Sequence, residues 1–143
     1  MTRSPRLPGL TLADADRLVA AALAAGEERG FPPLAVAVLD LTGEVIALRR
    51  ADGGMPMTSR IAVAKARTAL RTLTASGGLE LPGPIVDGIQ HLFHGDYVPY
   101  AGGVLVTDGE VILGTAGASG GHAREDDEAV QVALGQWRAQ RPR

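Results

Sequence analysis

The segment His91-Leu-Phe93-His94-Gly-Asp96-Tyr97-Val-Pro-Tyr100 gathers the residue types that recognise a flat, partly apolar molecule. The chain holds three histidines, two tyrosines, two phenylalanines and one tryptophan. Two of those histidines and three of those aromatic rings fall inside this one stretch. Ring faces with polar tips suit a porphyrin or an aromatic substrate. A neutral imidazole, from His91 or His94, can ligate iron. The same rings could instead plug a sheet edge or a subunit contact. A bound metal ion is a weaker reading of His91, His94 and Asp96, because a third ligand at a defining spacing is missing.

A second cluster lies at Ser119-Gly120-Gly121-His122, where a glycine-rich bend opens a helix. Backbone N–H groups left bare at a helix start can bind an anion or a polar ligand head. An imidazole there, His122, can act as a general base or polarise a carbonyl; the alternative is a plain cap. Lys65 interrupts an alanine-rich helix close to its apolar stripe. A lysine so placed can hold a carboxylate or act as a nucleophile. It could equally snorkel, or pair with Asp40, Glu44 or Asp52. Arg50, at a strand end, is a further carboxylate holder. Met55 and Met57 flank Pro56 in a loop and are a minor candidate for axial ligation.

These groups need a scaffold, and the periodicity predicts one. Leu12, Ala15, Val19, Ala22 and Leu23 repeat at helical spacing, so a helix runs from Thr11 to about Arg29. Thr11 and Asp14 form an approximate capping box, and Gly30 with Pro32-Pro33 stops the helix. Leu34–Asp40 and Val45–Arg50 read as a hairpin. Thr58 or Ser59 caps a helix to about Thr74 that shows Ala62, Ala66, Ala69, Leu70 and Leu73 on one face and Arg60, Arg67 and Arg71 on the other. Ser76–Gly88 reads mostly as loop, Ile85–Phe93 as a short helix, and Tyr97–Tyr100 as a strand. Val104–Thr107 and Glu110–Ala118 fold over an Asp108-Gly109 turn. Ala123–Arg138 closes the chain as a helix, acidic at its start and basic at its end, matching the helix dipole. Short hairpin links make the sheet antiparallel. Both strand pairs read as apolar on both faces, so helices should cover both sides of an α+β, three-layer α/β/α sandwich.

Composition narrows the classes. Fourteen basic against sixteen acidic residues give a net charge of −2, which argues against a nucleic-acid or membrane-surface binder. With no cysteine, disulfides, thiolate nucleophiles and iron–sulfur clusters are excluded. No apolar run approaches the ~20 residues of a membrane span. Residues 1–9 read as a flexible lead without an apolar signal core, and residues 10–143 as one domain; the cytoplasm is the expected location. Gly117-Ala-Ser-Gly120-Gly121 lacks the nucleotide-binding fingerprints.

The chain from Leu10 to Trp137 resembles the GlcG/HbpS family, once called domain of unknown function 336. The likeness rests on Leu10-Thr-Leu-Ala-Asp-Ala, on Val36-Ala-Val-Leu-Asp40-Leu-Thr-Gly43, on Arg50-Ala-Asp52-Gly53, on Ser59-Arg-Ile-Ala-Val-Ala-Lys65-Ala-Arg-Thr-Ala69, and on Gly102-Gly103 with Gly114, Gly117, Ser119-Gly120-Gly121, Asp126 and Ala129. Two positions depart from the family pattern: Leu105 stands where proline is usual, and His122 where threonine or serine usually caps the helix. The resemblance implies a profilin-like, five-stranded antiparallel sheet between helices, a small-ligand pocket, and a homo-oligomer from dimer to octamer. It makes haem one candidate ligand; Glu125–Glu128 read most simply as surface charge matched to the helix dipole, while the family match at Asp126 offers a tie to the glycine bend as the alternative.

Two functional readings follow. One is a binding protein that holds haem or a related flat ligand between the His91–Tyr100 loop and the bend, using Arg50, Lys65, His91, His94, Tyr97, Tyr100, Ser119, Gly120 and Gly121. The other is a cofactor-independent enzyme, such as an isomerase, lyase or cyclase. There His122 is the acid–base, Lys65 or Arg50 holds a carboxylate, and the bend N–H groups stabilise an oxyanion.

Overall fold

A computed structural model describes residues 5–142. The elements run α1 (Leu12–Glu28), β1 (Ala35–Leu39), β2 (Val45–Arg50), α2 (Thr58–Thr72), α3 (Gly83–Leu92), β3 (Gly103–Asp108), β4 (Val111–Ser119) and α4 (Ala123–Gln140). Among the described residues the sheet has four antiparallel strands in the order β2-β1-β4-β3. Helices α1 and α4 pack together on one face, and α2 lies across the other.

The expected five-stranded sheet is thus corrected to four. Tyr97–Tyr100 forms no strand, because side chains satisfy its backbone instead. Gln90 donates to the Tyr97 carbonyl (2.5 Å), the Val98 N–H donates to Thr68 Oγ1 (2.8 Å), and the Ser76 hydroxyl donates to the Tyr100 carbonyl. Pro99 has no N–H to offer a ladder. A second correction concerns β2. It is an edge strand, exposed along most of its length, so only β1 carries the fully buried run expected of both strands of that hairpin.

Alternation along the strands divides the core. Val36, Val38, Val104, Val106, Ala116 and Ala118 meet Leu18, Val19, Val130, Leu134 and Trp137 of α1 and α4. On the opposite face Ala35 and Ala37 meet Ala62 of α2. That second layer is made of very small residues. Gly103 and Gly117 are register partners. A Cβ on Gly117 would lie 2.2 Å from the Ala62 carbonyl oxygen, and one on Gly103 would lie 2.2 Å from that of Lys65. The alanine face of α2 is therefore taken up by the sheet and is closed to a second subunit.

The capping box at Thr11 is reciprocal: Asp14 accepts from the Thr11 N–H (3.0 Å), and the Asp14 N–H donates to Thr11 Oγ1 (3.1 Å). Asp14 also accepts from the indole N–H of buried Trp137 (3.2 Å) and from Arg17 (3.1 Å). Burial alone would raise this carboxyl. The Thr11 N–H, the indole, the Thr11 hydroxyl and Arg17 outweigh it and hold the carboxyl below the ordinary value of 3.8. The stability it contributes is therefore present at neutral pH and lost as pH falls through its lowered value. Asp14→Asn should be less stable than wild type at pH 7, and the gap should close below about pH 4 in denaturant titrations; a gap constant with pH would contradict this coupling.

The glycine contacts give a matched pair of expectations. Gly117→Ala forces α2 away from the sheet and should destabilise by at least the ~1–3 kcal/mol of an overpacked core. Gly135 lies within helix α4, and a Cβ added there would meet only open space. Gly135→Ala should therefore gain about 0.4–1 kcal/mol. Chemical denaturation of both variants checks the signs.

Candidate functional site

The outward face of α2 forms one wall of a groove of about 540 Å³, closed by Leu48 of β2 and by the His94–Val98 segment. Because Ala62, Ala66 and Ala69 point to the sheet, Arg60 and Arg67 must point away from it, while Val63 lies on the flank, packed against Ala35, Ala37 and Ala62. Leu48, Ile61, Val63, Ala64 and Val98 supply apolar surface; Ser59, Arg60, Arg67, His94 and Asp96 supply polar groups. Arg60 is exposed and makes no ion pair among the described residues.

His94 reaches this place through the end of α3. Its N–H donates to the His91 carbonyl (3.3 Å), and that of Gly95 donates to Gln90 (2.8 Å). These are the paired bonds of a Schellman turn. The turn requires left-handed backbone at His94 (φ 54°), followed by Gly95 (φ 82°). A residue with a Cβ there costs about 1–2 kcal/mol relative to the right-handed form.

The bend after β4 is built differently from the expectation of bare N–H groups. The Gly121 N–H donates to Asp126 Oδ1 (2.9 Å), and the His122 N–H donates to Glu125 Oε1 (2.8 Å). Carboxylates in the first turn of α4 thus occupy the donors that an anion would need. The other Asp126 oxygen accepts from Lys65 Nζ at 2.8 Å, with side-chain exposures of 5% for the lysine and 2% for the aspartate. Lys65 is therefore a buried partner of Asp126, not of Asp40, Glu44 or Asp52. Burial pushes the Asp126 carboxyl up, and Lys65 and the Gly121 N–H offset part of that shift.

The sequence-derived candidates do not converge on one place. His94 lines the groove, whose lining includes no residue of Ser119–Gly121. His91 sits exposed on the last turn of α3. Tyr97 is buried, whereas Tyr100 is 65% exposed and lines a separate cleft with Leu79, Glu80, Val86 and Asp87. Arg50 donates to the Pro56 carbonyl (3.2 Å) and to Ser59 Oγ (3.4 Å), so it braces the loop holding Met55 and Met57. Ser119 is buried at the end of β4, and His122 stands exposed as the N-cap of α4. The sequence placed Arg60 and Arg67 on one face of the helix but assigned them no site role, and it held no local signal for Leu48, which reaches the groove from β2.

Residues 10–135 match the model of a family described as haem degrading protein HbpS-like. The chain belongs to the HbpS-like family. It is 27% identical over 136 residues to the corrinoid adenosyltransferase PduO of Citrobacter freundii, covering 93% of this chain and 40% of the relative. PduO of Salmonella typhimurium is 28% identical over 105 residues, covering 71% of this chain and 31% of its own. This HbpS-like chain thus spans less than half the length of those relatives. Among solved structures, Klebsiella pneumoniae protein ORFY superposes with a TM-score of 0.86 at 25% identity over 99% of each chain. A PduOC:heme complex gives 0.81 at 26% identity, over 89% of this chain and 94% of that one. HbpS gives 0.78 at 24% identity over 95% and 97%, a likeness of fold.

The buried ion pair sets a further expectation. Lys65→Met leaves the buried Asp126 carboxyl without its partner and should cost about 3–5 kcal/mol, the usual effect of breaking a buried pair. Combining it with Asp126→Leu should recover part of that loss, since no lone charge remains buried. A double variant as unstable as the sum of the two singles, measured by denaturant unfolding, would refute the pairing.

Proposed function

We propose that this chain is a small-ligand-binding protein, and that its ligand is haem or another flat organic molecule bearing carboxylates, held in the α2 groove. The observation that carries this reading is the groove itself. Its lining combines the apolar residues Leu48, Ile61, Val63 and Val98 with the exposed cation Arg60 and with His94. Its volume falls within the roughly 300–1,000 Å³ of small-molecule clefts. A porphyrin combines an apolar plane, acidic side chains and an iron that an imidazole can ligate, so the donor set fits that group. Arg60 would hold a carboxylate and His94 would offer the iron an imidazole nitrogen. Bound haem would contribute iron chemistry; the chain contributes orientation and partial exclusion of water. The haem complex of the related PduOC domain supports this choice of ligand.

Haem titration followed by absorbance tests the proposal. A saturable Soret shift is expected, altered in band position by His94→Ala, weakened by Arg60→Glu, and unchanged by His91→Ala. A spectrum identical to that of free haem at stoichiometric protein would remove haem as the ligand. The reading centred on His122 would then be tested by His122→Thr, which keeps a helix cap without the imidazole.

We also propose self-association, through α3; the small-residue face of α2, whose sequence alone suits close approach to either a sheet or a second subunit, is taken up by the sheet. Helix α3 has no buried residue, and Ile85, Ile89 and Leu92 share one face at helical spacing, with Ile85 51% and Leu92 68% exposed. A stripe of this kind favours burial against another surface. Light scattering at micromolar concentration should show a dimer or larger assembly that dissociates on Ile85→Asp with Leu92→Asp. A wild-type monomer under those conditions would exclude self-association.

A further inference from the structure

We propose that Asp96 is a positioning residue, which presents His94 to the α2 groove by clamping the turn after α3 onto two arginines of α2; this rests on the groove being the ligand site. The need for a clamp follows from α3. With no buried side chain, that helix gives its own C-terminal turn no apolar anchorage. The turn nevertheless lies against α2, and the contacts that hold it converge just after His94. Asp96 Oδ2 accepts from Arg67 Nη1 at 3.3 Å and from Arg71 Nη2 at 3.2 Å. The Asp96 carbonyl accepts a further bond from Arg71. The Arg71 guanidinium stacks on Phe93, 4.2 Å from the ring centroid, so one arginine grips the turn on both sides of His94.

Two neighbouring contacts extend the grip. Thr68 Oγ1 donates to the Ala64 carbonyl (2.7 Å) and accepts the Val98 N–H (2.8 Å), fixing the chain just beyond Asp96. Arg67 also donates to the Gly43 carbonyl (2.9 Å), which ties the turn between β1 and β2 to the same group. The three clamp side chains are each about 30% exposed: 29% for Arg67, 30% for Arg71 and 31% for Asp96. They are partly shielded from water, and one carboxylate serves two guanidinium groups. Apart from Asp96, the one carboxylate paired with Arg67 among the described residues is the distant Glu44, at 3.9 Å. Removing the Asp96 charge therefore leaves two adjacent cations facing each other. The left-handed backbone at His94, which sterics disfavour, would then lose the two charge-assisted bonds that tie it to α2 and keep only its own turn bonds, the Phe93 stack and the Val98 N–H bond to Thr68.

Asp96→Asn is the test, with readouts in the ligand-free protein and with added ferric haem. In the ligand-free protein, heteronuclear NOEs of the Phe93–Asp96 amides should fall while those of α2 stay unchanged. With haem, affinity should fall about tenfold, the effect of reducing the binding-competent conformer to a tenth of the population. The imidazole-ligated spectrum should weaken, and millimolar free imidazole should restore it. His94→Ala should give the same spectrum, and combining it with Asp96→Asn should add little. Arg71→Lys keeps the charge but loses the two-pronged grip, so it should show an intermediate NOE loss even if Asp96→Asn folds poorly. Unchanged NOEs in both variants would overturn the positioning role, whether or not haem binds. Reduced NOEs in a protein that never shifts the Soret band would support the clamp and remove the haem reading.

Discussion

The architecture depends on how closely α2 approaches the sheet. Gly103 and Gly117 face each other across β3 and β4, and the helix backbone occupies the space where their side chains would be. This contact gains dispersion energy only because both surfaces lack bulk, with alanine on the helix and glycine or alanine on the strands. It fixes the rotation of α2 about its axis. Ala62, Ala66 and Ala69 must face inward, Lys65 is carried to the rim of the sheet beside Gly102, and the arginines are left outside. The groove is therefore the outer side of a constraint whose inner side is a glycine gap.

Helix α4 is secured at its two ends by polar contacts of opposite electrostatic character. In its first turn Asp126 is buried, pairs with Lys65 and receives the Gly121 N–H. In its last turns buried Trp137 donates to Asp14 at the start of α1. The Asp14 site is near water and rich in donors, so ionisation is favoured there. The Asp126 site is dry, so ionisation is disfavoured despite the ammonium. A buried pair of this kind contributes little net stability. It does join α2, the glycine bend and α4 through one carboxylate.

The segment from α3 to Tyr100 is organised on other terms. It contributes Tyr97 to the interior, but side chains of Thr68, Arg67, Arg71, Gln90 and Ser76 hold most of it in place. A strand would have surrendered its backbone groups to a ladder and pointed alternate residues into the core. Held from outside, the same residues form a wall of the groove and leave the apolar stripe of α3 uncovered. Local opening should be easiest in such a segment, which has few buried contacts and many polar ones near water.

Much of this was legible in the residues. The capping box at Thr11, the left-handed glycines of the turns, the helical spacing of α1, α2 and α4, and the two hairpins are local signals read within a few positions. The same signals carried the order of the elements, and the family motif at Asp126 offered a tie to the glycine bend beside the simpler reading of surface charge. Tertiary structure decided what depends on distant partners. Sixty-one positions separate Lys65 from Asp126, so the sequence alone left the lysine open to a ligand or to any nearby carboxylate. The fifth strand failed because the donors and acceptors that replace its ladder come from three other segments. The candidate ligand residues scattered for the same reason. Spacing in the chain placed His91, His94, Tyr97 and Tyr100 together, but a helix end and a left-handed turn send those side chains in different directions. His94 joined Arg60 and Leu48 only once α2 had been set against the sheet.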